Sequence, residues 1–347
     1  MEYYDIYGNA LSAVYDIHGN RMSAKPSSAV TNLPYQINST AWFDYAAPQL
    51  AAMREKYYAT DERSVPLFIC TDEHGSGGMD SHRWFSNNND VCAVDLQLGD
   101  VCYDYYTESY LENMKTRAMP VTNYIGIPGN HDVKQVTDVP TQAKIREYFA
   151  WSNGFRYRVI DVDDNASYVV YDDVHGIKFI ALDWYTKIGE NSNGTMPSPH
   201  ATSDVMAWVL TELAKNDGYD VIVLQHEPVS GVYTWADGTT EDCPSDRASK
   251  YAFWLALKDR KNKRSGTCVD DDGVSHTYDF TGCTSEIICV LHGHYHRQMY
   301  LREDGLTAIA FPSWWSVSYA VIDRTNRKFH LWTNTYDSAS EEYVYEL

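Results

Sequence analysis

The sequence predicts an α/β fold, and three observations carry that reading. Short, unbroken apolar runs rich in β-branched residues recur along the chain and read as strands buried on both faces. Stretches with apolar residues three and four apart lie between them and read as helices. Five of the apolar runs end on residues that carry oxygen or nitrogen donors. Open α/β sheets collect their ligands outside the carboxyl ends of the strands, so five such ends point to one shared site.

The elements follow in chain order. Residues 1–25 hold a short repeat: Tyr4-Asp5-Ile6-Tyr7-Gly8-Asn9 recurs as Tyr15-Asp16-Ile17-His18-Gly19-Asn20. A β-prone triplet before Gly-Asn in each copy predicts a hairpin-like appendage. A packing arm is the simpler reading, and an attachment or oligomerisation tag is the alternative. Residues 26–40 read as a linker, so the expected division is 1–40 and 41–347. Residues 46–58 read as a helix with Leu50, Met53 and Tyr57 on one face. The run Pro66–Cys70 leads to Asp72-Glu73-His74, followed by a loop over 75–90 rich in Gly and Asn. Cys92–Leu98 leads to Gly99-Asp100, and Asp104–Met119 reads as a helix. Val121–Ile127 leads to Gly129-Asn130-His131-Asp132, and Ala143–Trp151 reads as the next helix.

Three alternating runs, Phe155–Ile160, Ser167–Tyr171 and Ile177–Leu182, predict strands, the last two as a hairpin. Ser203–Lys215 reads as a helix with Ser203 as its N-cap and Met206, Leu210 and Leu213 on the buried face. Asp220–Gln225 leads to His226. Residues 229–285 read as an insertion over the site, with a helix from Ser245 to Arg260. Within it, Asp270-Asp271-Asp272-Gly273 lacks the following ligands of a calcium loop and reads as a solvated turn. Ile287–Leu291 leads to His292-Gly293-His294-Tyr295-His296. Tyr319–Ile322 and Lys328–Trp332, joined by a turn at 323–326, close the chain as a hairpin.

Composition limits the function. The chain has 347 residues and a formal charge of -20. That surface repels polyanions, which argues against broad binding to nucleic acid or acidic membranes. No apolar run approaches the length of a membrane span, and the first residues lack the basic and apolar regions of a signal peptide. A cytoplasmic location is the default expectation, with export left open. Of the seven cysteines, Cys70, Cys92 and Cys289 fall in predicted strands and read as reduced core thiols. Cys243, Cys268 and Cys283 share the polar insertion, and spacing leaves their pairing open. The sequence does not define the oligomeric state.

The donor types define a chemistry. Neutral imidazole is the commonest protein ligand for a transition metal. Imidazoles mixed with carboxylates suit Mn, Fe, Zn or Ni rather than an all-oxygen Ca or Mg cage. A carboxylate between two cations offers two oxygens and offsets charge, and a two-metal site clamps both oxygens of an in-line displacement.

The ordered series Asp72-x-His74, Gly99-Asp100, Gly129-Asn130-His131-Asp132, His226, Gly293-His294-x-His296 resembles that of the calcineurin-like metallophosphoesterases over about residues 66–335. The resemblance is closest to the cyclic-nucleotide phosphodiesterase-like branch. It implies a four-layer α/β/β/α sandwich of two mixed sheets flanked by helices, with 41–347 as the catalytic domain. It implies two divalent or trivalent transition metal ions. Asp72, His74 and His296 would hold one, Asn130, His226 and His294 the other, and Asp100 would bridge. The implied reaction is hydrolysis of a small phosphomonoester or phosphodiester by a metal-bridging hydroxide. His131 would act as general acid, and Asp132 would orient it or cap a helix.

Two rival functions stand beside this one. A nuclease conflicts with the acidic charge and the lack of a basic stripe. A catalytically idle binding or virion-type structural module has the N-terminal repeat in its favour and the complete ligand set against it. Gly99-Asp100-Val101-Cys102-Tyr103 also fits the purple acid phosphatase pattern, in which the Tyr binds iron. That subfamily has Gly where His74 stands, so the coordination corner is expected to go to His74, leaving Tyr103 to pack outside the ligands. His292 is expected to support the site rather than bind metal. His18, His82, His175, His200, His276 and His330 match no motif, and His82 and His200 lie in loops that would border the site.

Overall fold

A computed structural model describes residues 64–75, 94–103, 106–118, 123–134, 139–153, 155–159, 165–185, 199–243, 248–313, 316–335 and 342–347, together with 14–15, 21–22, 52 and 56. Most of the N-terminal repeat, the 46–58 helix, the loop from 76 to 90, Cys92, His18 and His82 lie outside the described residues. Val14–Tyr15 pairs antiparallel with Arg21–Met22.

Two mixed sheets make up the fold. The seven-stranded sheet runs in the order Tyr343–Glu346, Lys328–Thr335, Ser316–Asp323, Ser64–Cys70, Val94–Leu98, Tyr124–Ile127, Ser152–Asn153. Ser64–Cys70, Val94–Leu98 and Tyr124–Ile127 are parallel to one another. The nine-stranded sheet runs Thr240–Cys243, Gly231–Trp235, Met299–Glu303, Leu306–Ala310, Ile287–His292, Asp220–Leu224, Ile177–Ala181, Tyr168–Asp172, Arg156–Val159. Its centre is parallel as well: Ile287–His292 pairs with Asp220–Leu224 on one side and Leu306–Ala310 on the other. All five donor-bearing strand ends belong to these two parallel centres.

Strand alternation explains why the runs are apolar throughout. Ile222 and Leu224 join the core that also holds Leu67, Leu96 and Ile125 of the other sheet. Val221 and Val223 face the opposite way, into a second core with Val205, Met206 and Val209 of helix Ser203–Ala214 and Phe253, Trp254 and Leu257 of helix Ala248–Lys261. Successive side chains of a strand point to opposite faces, so a strand between two cores must be apolar at every position. Helices Glu108–Ala118 and Val139–Phe149 contribute Leu111, Met114, Ile145 and Phe149 to the core of the seven-stranded sheet. The architecture is the α/β sandwich of two mixed sheets expected from the sequence.

Several boundaries move. The helix expected over 104–119 starts at Glu108, and the one expected from Ala143 starts at Val139. Pro140 sits in the first turn of the latter, where its missing N–H costs nothing. Helix Ser203–Ala214 is capped by Thr202, whose hydroxyl accepts from the Val205 N–H, so Ser203 is the first helical residue and not the cap. The helix expected over 245–260 spans Ala248–Lys261. Residues 229–285 add two strands to one edge of the nine-stranded sheet, a helix against its outer core, and a hairpin, Ser265–Val269 with Ser275–Asp279. Sequence reading also passed over the antiparallel pair Met299–Glu303 and Leu306–Ala310. Its turn is Asp304-Gly305, both at positive φ (49° and 81°), the two-residue turn that Asp-Gly favours.

Candidate metal centre

The site begins with backbone that most residues avoid. Asp72, His74, Asp100, His294 and His296 all have positive φ, between 47° and 73°. Such a residue costs about 1–3 kcal/mol and persists only where its surroundings over-determine it. Here the strand-end loops are bonded to one another. Asp72 N–H donates to Gly99 O at 2.9 Å, His74 N–H to Asp100 O at 3.0 Å, and Gly293 N–H to His226 O at 3.2 Å. Two motif glycines allow that closeness. A Cβ on Gly293 would stand 1.9 Å from Thr71 Oγ1, and one on Gly129 would stand 2.2 Å from Asp100 Oδ1.

Asp132 ties two of these loops together. Its carboxylate accepts from the N–H groups of Asp100 (2.9 Å), Cys102 (2.8 Å) and Gly129 (2.8 Å). It is fully buried, and burial together with the Asp100 charge pushes its carboxyl up to about 7. Its oxygens face backbone, as a cap's do.

The donors converge in three overlapping groups: Asp72, His74 and His296; His74, Asp100 and His131; Asp100, His226 and His294. Within each group the ligand atoms lie within 4.8 Å of one another. Asp72 Oδ1 stands 3.1 Å from His296 Nε2, and His296 Nε2 stands 3.2 Å from His74 Nε2. Asp100 Oδ2 stands 3.1 Å from His226 Nε2. His294 Nδ1 lies 3.1 Å from Asn130 Oδ1 and 3.4 Å from His226 Nε2. His226 Nδ1, 2.7 Å from Leu98 O, can donate to that carbonyl and so turn its Nε2 towards the carboxylates. Imidazole nitrogens that face each other, beside the buried carboxylate of Asp72, fit a cation between them. A donor set of imidazole, carboxylate and one amide suits a borderline transition metal.

The electrostatics agree with that fit. Burial opposes charge on His226, yet the Asp100 and Asp72 carboxylates raise it to about 10. Asp72 and Asp100 resist burial and are held below the usual carboxylate range, chiefly by His226. His296 is raised by its contact with Asp72. The negative charge of the pocket is thus balanced by protons that a cation would displace.

His131 lies beside these donors. Its N–H donates to Asp100 Oδ1 at 2.8 Å, and its ring packs edge-on against His74 with centroids 4.5 Å apart. Burial lowers its imidazole, against the pull of Asp100. Proximity alone does not separate it from the ligands, since it shares a group with His74 and Asp100. Tyr103 turns its phenol outward, 60% exposed, while its carbonyl faces His74 Nδ1 at 3.3 Å. His292 is a core residue: its Nε2 lies 3.0 Å from the Tyr233 hydroxyl, and burial lowers it to about 3. His175, His200, His276 and His330 each face a carboxylate elsewhere: Asp172, Asp272, Asp270 and Glu342.

Two residues next to the site escaped the sequence reading. Thr71 donates its hydroxyl to Asp72 Oδ2 at 2.7 Å. Glu227 is buried beside His226 and kept ionised, at about 2, because His294, Lys250 and the Tyr185 hydroxyl outweigh its burial. Its position directly after His226, at a buried strand end, is the signal that would have found it. Glu227 also lines a cleft with Trp184, Lys250 and Phe253.

The Asp/His/Asn cluster at the strand ends is made by the ordered motifs that resemble those of the calcineurin-like metallophosphoesterases, and the fold is the sandwich of two mixed sheets which that resemblance implies. Solved structures to which the chain shows some similarity include a conserved uncharacterised protein, predicted to be a phosphoesterase, from Streptococcus pneumoniae TIGR4. It is 9% identical over 82% of this chain and 98% of its own, with a TM-score of 0.35. A putative 5'-nucleotidase from Staphylococcus aureus is 13% identical over 82% of this chain and 54% of its own, with a TM-score of 0.44. This chain thus spans about half of that protein's length. GAP50, the anchor in the inner membrane complex of Plasmodium, is 11% identical over 82% and 88%, with a TM-score of 0.46. No family model matches the chain, and no curated protein matches it. No helix among the described residues is long and apolar enough to cross a membrane.

Proposed function

We propose that the protein hydrolyses a small phosphomonoester or phosphodiester at a dinuclear metal centre. The observation that carries this reading is the overlap of three donor groups, two of them sharing Asp100, at the carboxyl ends of parallel strands. Asp72, His74 and His296 would hold one ion, and Asn130, His226 and His294 the other, with Asp100 between them. When bound, the two ions supply a clamp for the phosphoryl oxygens and a nucleophile from water at neutral pH.

The remaining chemistry belongs to the chain's own side chains. His131 is the proton donor to the leaving oxygen. Asp100 supports that role by accepting the His131 backbone N–H, which fixes where the ring begins. Asp132 acts at one remove, holding the Gly99–Cys102 and Gly129–Asp132 loops in register through their amides. The acidic surface favours a small substrate over a polyanion, so recognition is local to the centre.

The test is metal analysis of the purified chain together with a panel of chromogenic phosphomonoesters and phosphodiesters. Two transition-metal ions per chain and a turnover that chelation abolishes are expected. Fewer than one ion per chain after metal loading, or hydrolysis that survives chelation, would sink the reading.

A further inference from the structure

Glu227 is a buried acid beside the centre that has no part in the ligand set. One oxygen, Oε1, accepts from Lys250 Nζ at 2.6 Å. The other, Oε2, accepts from the Tyr185 hydroxyl and stands 3.7 Å from His294 Nε2. The carboxylate is therefore fixed by two donors on one side and faces an imidazole on the other.

His294 needs such an anchor. Its backbone is set by its positive φ and by its N–H, which donates to Asp72 Oδ2 at 3.0 Å. Its side chain is a third exposed, and its ring meets those of His226 and Tyr295 edge-on, contacts that do not choose which nitrogen carries the proton. The ring turns Nδ1 towards Asn130 and His226 and leaves Nε2 towards Glu227. An imidazole that offers the Nδ1 lone pair to a cation carries its proton on Nε2. Bringing that N–H to hydrogen-bond length from the carboxylate takes a shift of roughly 0.8 Å.

We propose that Glu227 is the positioning residue of His294: it accepts the Nε2 proton, and so fixes the tautomer that leaves Nδ1 free to bind the second metal. Lys250 and Tyr185 aim the carboxylate. The inference rests on the dinuclear reading, and it goes beyond it by assigning a residue outside the ligand motifs. Outer carboxylates of this kind contribute about 10–100-fold to metal affinity.

Zinc alone serves as the probe, titrated against a competing chromophoric chelator. Wild-type protein is expected to take up two ions. In Glu227→Gln one of the two ions should dissociate about 10–100-fold more readily, with the other unchanged. A merely structural role would loosen both ions together, and that outcome overturns the proposal, as does equal affinity for both. Nitrogen-15 spectra of zinc-loaded wild-type protein give a second reading that needs no variant. A protonated Nε2 and metal-bound Nδ1 on His294 support the assignment, and a bare or metal-bound Nε2 overturns it. The two readings fail differently: a wild-type chain that holds fewer than two ions overturns the dinuclear centre itself, and this inference with it.

Discussion

Among the described residues, two clusters of aspartate and histidine use the same side chains to opposite ends. At the strand ends, Asp72 and Asp100 meet His74, His131, His226, His294 and His296. In the hairpin beyond helix Ala248–Lys261, Asp270 meets His276 and Asp272 meets His200, with Asp271 between them. In the second cluster each carboxylate faces N–H groups. Asp270 takes the Val274 amide at 2.8 Å and His276 at 2.6 Å. Asp271 takes the Ala201 amide at 2.8 Å, and Asp272 takes the Ser203 amide at 3.1 Å and His200 at 3.0 Å. The acids clasp the turn onto the start of helix Ser203–Ala214, where negative charge is favourable. In the first cluster imidazole nitrogens face each other. Among the described residues only the strand-end cluster forms groups of converging donors. What separates them is that at the strand ends imidazole nitrogens also face one another, the arrangement a cation would fit.

The largest expected effect separates the clusters directly. Asp100→Asn removes the shared charge from the first, so metal content should fall below one ion per chain and phosphoester turnover should drop to that of chelated protein. The same change at Asp272 should leave metal content untouched and cost about 0.3–1 kcal/mol of stability through the helix terminus. Atomic absorption on both variants checks this; metal loss from Asp272→Asn would erase the distinction. Next in size is His131→Ala. General acid catalysis contributes roughly 10²–10⁴ in rate, and the loss should be greatest for poor leaving groups. Metal content should stay near that of wild type. A loss equal for good and poor leaving groups would count against the proton-donor role.

The contrast also explains what the sequence made legible. The strand ends could be read because each donor follows a buried apolar run, and burial on both faces is written into every residue of Ile287–Leu291 or Val221–Leu224. The two sheets were legible for the same reason. Asp132 was legible only as a residue that would orient His131 or cap a helix; its other partners are amides of Asp100 and Cys102, 32 and 30 residues away, and amides leave no mark in a sequence. Glu227 was hidden similarly: its partners Tyr185 and Lys250 lie on other elements. The Asp270–Gly273 turn was legible as a turn, while its clasp on Ala201 and Ser203 was a matter of tertiary contact. Thr202 took the cap from Ser203 because an offset of one residue is invisible where both carry hydroxyls.

Glycines sharpen the comparison at a smaller scale. Gly293 lies inside the strand-end cluster, and an added methyl would meet Thr71 Oγ1 at 1.9 Å and Asp72 Oδ2 at 2.7 Å. Gly273 closes the clasp at φ +80° with open space where a Cβ would go. Gly293→Ala is therefore an overpacking change, expected to cost about 1–3 kcal/mol and to weaken the metal site by displacing Asp72. Gly273→Ala carries only the left-handed backbone penalty, about 1–2 kcal/mol, with metal content intact. Denaturant midpoints with parallel metal analysis test both. Normal metal uptake by Gly293→Ala would mean that the close approach of the two loops is not needed for binding.

The smallest effect concerns the clasp and pH. Burial would raise the Asp270 carboxyl, but the contacts with His276, Ser203 and the Val274 amide outweigh it and hold the group below its ordinary value. Its folded form therefore releases its proton more readily than the unfolded chain, whose aspartates titrate near pH 3.9. Between those two points the unfolded state binds more protons, so stability rises with pH. The contribution is complete above about pH 5 and fades as acid protonates the folded carboxyl. Asp270→Asn lacks this term, so wild type should exceed it by about 1 kcal/mol near neutrality. The gap should close as pH falls towards 2–3. Chelated protein is the right material, since metal loss in acid would otherwise move both curves. Urea midpoints across the pH series read the difference directly. A gap that stays flat, or widens in acid, would show that Asp270 stabilises the hairpin by shape and not by charge.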